Sequence, residues 1–453
     1  MFTIIFIYFF LMIGIGIWQR KKAKGKDDFF VAGRKGNLAF ISGSLLATII
    51  GGSSVIGLAG LGFKQGLVGS WWLLSGTCGL LILGCFFAEK VRATCLYTLP
   101  EILKKQYNTT VALAASILIV VAWTGVVAGQ IVAAGKVLSI IGTGSAAFWM
   151  VIFTIVFVIY AILGGQFSII HTDFLQAIIL ISGIVLVLII LSLNFSFEVK
   201  SLPPDYFSFP VSDKFSVLDM FSFLILIGGT YVVGPDIYTR ILCAKDKEVA
   251  RKSVFITAVI ITILAFAIAL IGIGAKILYP EISPEQAFPQ IIKEALPPGL
   301  NAIVLAALLA ALMSSADTCL LSQSIILTED ILKNLYSLNE KKTILFTRIN
   351  LVILGLIALV LALTLKGVIS SLLFAYTIFT CGLVIPTIAG FYRKRLKLSS
   401  KGALSALVGG GTVGLLGKIP HLNIPFKEYL PLMGIVICTI FLFGVSFITR
   451  EKT

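Results

Sequence analysis

Apolar runs follow one another along almost the whole chain, each about as long as a bilayer is thick. They lie near residues 2–18, 38–62, 67–88, 110–140, 146–163, 168–194, 216–239, 253–278, 299–327, 343–365, 368–392, 402–417 and 429–448. The pattern predicts an all-α polytopic membrane protein with thirteen transmembrane helices. No stretch is polar enough to form a separate soluble domain, so residues 1–453 read as one membrane domain. Two of the longer connections, 194–215 and 279–299, are rich in proline and include Pro203-Pro204 and Pro297-Pro298. In the second, Ala287-Phe288 and Ile291-Ile292 give a short apolar face. That predicts short helices lying across the outer mouth as a lid.

Two of the runs are interrupted. Residues 44–57 combine Gly51-Gly52 with the hydroxyls of Ser44, Thr48, Ser53 and Ser54 in the middle of a span. Glycine weakens a helix interior, and an opened helix in hydrocarbon leaves carbonyls and amides that need other partners. The stretch therefore presents backbone to a ligand or lets another helix pack closely. Five spans later a second run carries Gly228-Gly229, with Gly234-Pro235 beyond it. Five is odd, so the two interrupted runs cross in opposite directions. Matched breaks in two inverted halves point to the substrate site of a transporter.

Composition narrows the class. Of 453 residues, 58% are hydrophobic and 13% charged, against about 25% charged in a soluble domain. The net charge of +15 implies no nucleic-acid partner once its distribution is followed. With alternating sides, 27 of the 36 lysines and arginines, Arg348 near the start of the tenth span included, lie on the side of the segments after odd-numbered spans and of the C-terminal tail. That bias places the N-terminus outside and the C-terminus in the cytoplasm of a cell membrane. The first run lacks a basic leader and is followed by Arg20-Lys21-Lys22, so it reads as a retained span. Seven cysteines without a CxxC pair, and two distant histidines, suggest neither a disulfide framework nor a metal centre. An enzyme would need a catalytic cluster at one depth, and His171 is poor material for one. A sensor would need an output domain, and the chain runs only about five residues past its last span.

The ninth run, Ala306–Thr318, holds the densest chemistry. Ala311, Ser314 and Ser315 share a helix face. Two hydroxyls and a carbonyl suit a small hard cation, and opened backbone near Ala47 and Ile50 would complete its shell. Alternatively the serines bond back to their own helix. Asp317 and Thr318 lie one turn further, and Asp173 lies near the start of the sixth run. Acids at this depth are functional candidates. If their spans are neighbours they would share a second cation or a proton; otherwise each snorkels or pairs with a cytoplasmic arginine. Ser53, Ser54, Gln130, Thr230, Tyr231, Tyr376 and Thr377 are candidates for lining a pocket for a small polar organic solute. Trp71-Trp72 fit a pocket or an interfacial anchor, and Lys136 is expected to snorkel outward.

Several motifs in order resemble the sodium:solute symporter family over essentially the whole chain. They are the Gly33-Arg34 loop, Ala47-Thr48-Ile49-Ile50-Gly51-Gly52, Thr172-Asp173-Phe174-Leu175-Gln176, Ala287-Phe288-Pro289, Leu296-Pro297-Pro298-Gly299-Leu300 and the Ala306–Thr318 run. The resemblance implies a LeuT-type five-plus-five inverted repeat over 38–194 and 216–392. An extra N-terminal helix and basic loop fill 1–37, and two extra helices follow in 400–453. It implies a monomeric carrier that uses Na+. The sodium would be bound by the carbonyls of Ala47, Ile50 and Ala311 and the hydroxyls of Ser314 and Ser315. Some members have a second sodium site at positions matching Asp173, Asp317 and Thr318. Here position 317 is Asp rather than Ser, which leaves sodium, a proton or neither. Sugar-transporting members carry Gln where this chain has Ser54, and choline-transporting members carry Trp near Ile49. Neither hallmark is present, and sugar, amino acid, carboxylate and vitamin all remain open as solute.

Overall fold

The computed structural model describes residues 7, 10, 11, 14, 15, 25–141, 144–194, 202–364, 367–416 and 430–449. The span expected at 2–18 falls, apart from five isolated positions, outside the described residues. Among the described residues nine helices are long and apolar enough to cross a membrane, and two isolated bridges are the only β-pairing.

The first interrupted run is two helices. α1 (Leu38–Ile49) starts at Asn37, whose side chain accepts from the Phe40 amide, and stops at Ile50 (φ −89°, ψ 56°). After an extended Gly51 comes α2 (Gly52–Gln65). α3 (Trp71–Phe86) and α4 (Thr109–Ile141) follow. The fifth and sixth predicted spans run on as one bent helix, α5 (Ala146–Asn194), which turns at Gly165 (φ 58°, ψ −165°). Only glycine suits that backbone, and a Cβ there would lie 2.5 Å from the Phe29 ring.

α6 (Val217–Cys243) begins at a capping box of Ser216 and Asp219. Its break is not at Gly228-Gly229, which keep helical angles. It falls at Gly234 (φ −55°, ψ 129°), before Pro235. Proline supplies no amide and drives the preceding residue out of helical geometry. The glycine pair serves packing instead: a Cβ on Gly79 of α3 would sit 2.2 Å from the Gly228 carbonyl oxygen. α7 (Lys247–Leu278), α8 (Leu300–Ile326), α9 (Glu340–Thr364), α10 (Val368–Gly390), α11 (Ser400–Leu416) and α12 (Leu430–Ile448) complete the bundle.

α8 is the axle. It is apolar on nearly every side and is buried along almost its whole length, against α1, α2, α4 and α5. α9 and α12 instead expose Ile357, Val360, Ile440 and Phe447, as lipid-facing helices do.

Both ends of the bundle are tied. On the side of the basic segments a strap, Lys26–Arg34, lies across α5. The Lys26 ammonium meets Glu329 at 2.8 Å and its amide donates to Glu340 at 2.7 Å. The Arg34 guanidinium donates to the carbonyls of Cys95 (2.8 Å), Leu96 (3.2 Å) and Leu242 (3.3 Å). Gly36 exchanges backbone bonds with Cys243 and Lys245 just past the end of α6. The Tyr97 hydroxyl donates to Asp27; burial, aided by that carboxylate, pushes the phenol up to about 12. At the other end, short helices at Pro284–Gln286 and Ala287–Gln290 bury Ala287, Phe288, Ile291 and Ile292. There Lys136 does not simply snorkel. It pairs with Glu285, whose carboxylate also accepts from the Val368 amide at 2.9 Å.

Candidate functional site

The end of α1 leaves carbonyls without helical partners, as every helix end does. Here they are buried in the bundle, and α8 supplies the missing donors. Ser314 Oγ donates to the Ala47 carbonyl at 3.0 Å and to its own Ala311 carbonyl at 3.0 Å. Ser315 Oγ donates to Ala47 at 3.2 Å and Thr48 at 2.9 Å. Ala47, Ala311, Ser314 and Ser315 thus meet directly, and Ile50 is the residue on which α1 ends. All are buried. The donor set is oxygen throughout, carbonyls and rotatable hydroxyls, which suits a hard monovalent ion. A hydroxyl that turns its hydrogen away from Ala47 offers a lone pair in the same place.

The glycines let the two helices approach this closely. A Cβ on Gly51 would stand 2.2 Å from Ser315 Oγ and 3.1 Å from Gln130 Nε2. A Cβ on Gly52 would stand 2.2 Å from Leu312 Cγ. Gly51→Ala is therefore expected to push the α1–α2 joint off α8. The purified variant should melt below the parent protein, and an unchanged melting temperature would show that the close approach is dispensable.

Next to this joint lies a small enclosed cavity of about 30 Å³. It is too small for an organic solute in this conformation, since ligand pockets run to roughly 300 Å³ or more. Of the predicted lining residues, Ser54, Gln130, Thr230, Tyr231 and Tyr376 face it. Ser53 and Thr377 do not; the Ser53 amide donates to Gln130 Oε1 at 3.2 Å, and the buried Thr377 hydroxyl has no partner. Thr230 is held by the Leu226 carbonyl and the Thr380 hydroxyl. Thr48, Trp123, Asp236, Ser315 and Cys319 also line the cavity. Thr48 and Ser315 therefore belong both to the cavity wall and to the α1–α8 contact. Trp71 belongs to neither: it stacks on Phe209 of the proline-rich loop, 5.6 Å between centroids, and its indole donates to Pro210. Trp72 is buried against Phe223 and Tyr376.

Asp173 and Asp317 come into one fully buried cluster with the guanidinium of Arg240. Arg240 of α6 has no exposed surface. It donates to Asp173 Oδ2 at 2.9 Å and also to the Thr318 hydroxyl. Ser44 Oγ donates to the same Asp173 oxygen at 2.5 Å, and Thr318 donates to Asp317 Oδ1 at 3.3 Å. Asp317 Oδ2 has no partner. The sequence signal for Arg240 was its position in an unbroken helix after Pro235, ahead of the polar Asp246 that caps α7.

The profile of the sodium:solute symporter family matches residues 29–410. The chain belongs to the sodium:solute symporter family. Its relatives include a sodium/glucose cotransporter of Vibrio parahaemolyticus, 25% identical, covering 93% of this chain and 86% of that one. The sodium/pantothenate symporter of Escherichia coli is 26% identical, covering 97% and 94%. A high-affinity proline transporter of Bacillus subtilis is 25% identical, covering 98% and 97%. Among solved structures, a substrate-bound, outward-open Na+-coupled sialic acid symporter superposes with a TM-score of 0.82 at 18% identity, over 99% of this chain and 97% of that one. A nucleobase-cation-symport-1 transporter in a closed conformation gives 0.63 at 12% identity, over 94% and 95%. The fold is thus LeuT-like, and this member of the symporter family is a multi-pass membrane transporter, not an enzyme.

Proposed function

We propose that this chain is a sodium-coupled symporter that imports a small polar organic solute by alternating access. The observation that carries the reading is the seating of Ser314 and Ser315 against the open end of α1. Sodium would be held there by the carbonyls of Ala47, Ile50 and Ala311 and the two hydroxyls. It would fix the α1–α2 joint and with it Thr48 and Ser315, which also face the solute cavity. Solute affinity would rise when sodium is bound, and sodium affinity would rise by the same factor when solute is bound. Each sodium ion moved down 100 mV contributes about 2.3 kcal/mol. The breaks at Gly51 and Gly234 support two inverted halves, 38–194 and 216–392, within a thirteen-helix carrier. The excess of basic residues on one side supports an N-terminus outside and a C-terminus in the cytoplasm of the cell membrane.

Purified protein is expected to gain thermal stability when potassium chloride is replaced by sodium chloride at equal ionic strength. Proteoliposomes should accumulate solute only with an inward sodium gradient. Equal melting temperatures in the two salts, together with uptake indifferent to sodium, would refute the reading.

The buried cluster favours a second coupled cation. With both carboxyls ionised, Asp173 and Asp317 would exceed the charge of Arg240 by one, and none of the three has exposed surface. A proton or a second sodium on Asp317, with Asp173 and Thr318 beside it, would close that balance. Uptake driven by a pH gradient in sodium-free buffer would identify the proton.

A further inference from the structure

We infer that the solute carries a positively charged nitrogen, an ammonium or substituted ammonium group, and that Asp236 receives it. The inference rests on the symport reading and deepens it by naming the chemistry of the cargo. Asp236 is the one charged residue on the wall of the cavity, and it is an acid. Its neighbours Tyr231, Pro235 and Ile237 are buried, whereas Asp236 is only half-buried. Three aromatic side chains share the same wall, Trp123 from α4, Tyr231 from α6 and Tyr376 from α10. A carboxylate among aromatic faces is the chemistry that recognises an ammonium ion.

The local electrostatics support the same sign. Arg240 follows Asp236 by one helical turn, but its Nη2 is bonded to Asp173 and Thr318 and Arg240 does not line the cavity. No basic side chain lines the cavity, so a solute carboxylate or phosphate finds no charged partner on its wall. The Asp236 carboxylate brings two acceptor oxygens to this wall, and the buried Trp123 indole nitrogen on the same wall has no hydrogen-bond partner. The buried Thr48 hydroxyl has no partner, and with Gln130 it offers hydrogen bonds to the rest of the solute.

Asp236 is the second residue of its helix segment, whose start at Gly234 carries no side-chain cap. Asp236→Asn therefore removes the charge, keeps the size of the side chain and takes no cap from the helix. The purified full chain would be screened by thermal shift, in sodium and in potassium, against two groups of probes. One is the L-amino acids, choline and glycine betaine; the other is glucose, pantothenate and pyruvate. A sodium-dependent shift with at least one solute of the first group is expected. Asp236→Asn should raise the half-saturating concentration of that solute at least tenfold, with the shift produced by sodium alone reporting that the variant is folded. If the variant does not fold, the same comparison is made on the unsubstituted protein with a neutral isostere, such as 3,3-dimethylbutanol for choline. The isostere should bind at least tenfold more weakly. A response confined to glucose, pantothenate or pyruvate in sodium would overturn the inference and leave sodium-coupled symport standing. Equal binding by Asp236→Asn or by the isostere would overturn it too. Indifference to sodium with every solute would overturn the symport reading along with it.

Discussion

Replacing Ser314 and Ser315 together by alanine is expected to abolish the response of this transporter to sodium. The two hydroxyls bond the carbonyls of Ala47, Thr48 and Ala311 at the α1–α8 contact, and the proposed sodium shell joins them with the carbonyls of Ala47, Ile50 and Ala311. Removing both takes two oxygens from a five-oxygen set, and neither lipid nor water replaces them in a buried joint. The half-saturating sodium concentration should rise by about 100-fold or more, roughly 3 kcal/mol, and uptake at ordinary sodium should fall to background. The single variants should each lose less, with Ser315→Ala the more damaging to solute affinity because Ser315 also lines the cavity. Sodium titrations of thermal stability and of uptake in proteoliposomes measure both effects. A double variant that keeps its sodium-dependent uptake would remove the cradle from the mechanism.

The second large effect is expected at Arg240. Its substitution by methionine leaves the fully buried Asp173 carboxyl without its guanidinium partner. Breaking one half of a buried ion pair costs about 3–5 kcal/mol, mostly the penalty of the stranded charge. Arg240→Met should therefore express poorly and melt well below the parent protein. Asp173→Asn in the same chain removes the stranded charge and should recover much of the loss, so the two substitutions should be far from additive. The cycle is read from melting temperatures of the four purified proteins. Additive losses would show that Arg240 and Asp173 do not act as a pair.

Much of the architecture was legible in the chain because bilayer length leaves little choice. The run at 299–327 is a continuous apolar stretch, and α8 occupies Leu300–Ile326. The joint at Gly51-Gly52 was legible because two glycines and several hydroxyls in mid-span have no purpose in a lipid-facing helix. The second break was misplaced for a physical reason. Glycine has two uses in membranes, freeing the backbone and letting helices touch, and at Gly228 the second prevails. Proline at 235 was the better signal, since it excludes helical geometry at Gly234 whatever the packing. The bend of α5 was read as a loop, because Gly164-Gly165 interrupts the apolar run without ending the helix. Arg240 was the least legible. It stands in a basic segment with Lys245, Lys247, Arg251 and Lys252, and hydropathy treats all five alike. Only the tertiary placement of Asp173 and Thr318 distinguishes it. Asp236 and Trp123 were visible as polar or aromatic residues in spans, but their convergence on one cavity wall depends on how α4 and α6 cross.

The strap over the basic side of the bundle bears on the timing of transport. Arg34 and Gly36 fasten it to the end of α6, and Lys26 fastens it to Glu329 and Glu340. A path through that side opens only when those bonds are undone together, so the strap makes the end of α6 and the segment carrying Glu329 and Glu340 move as one.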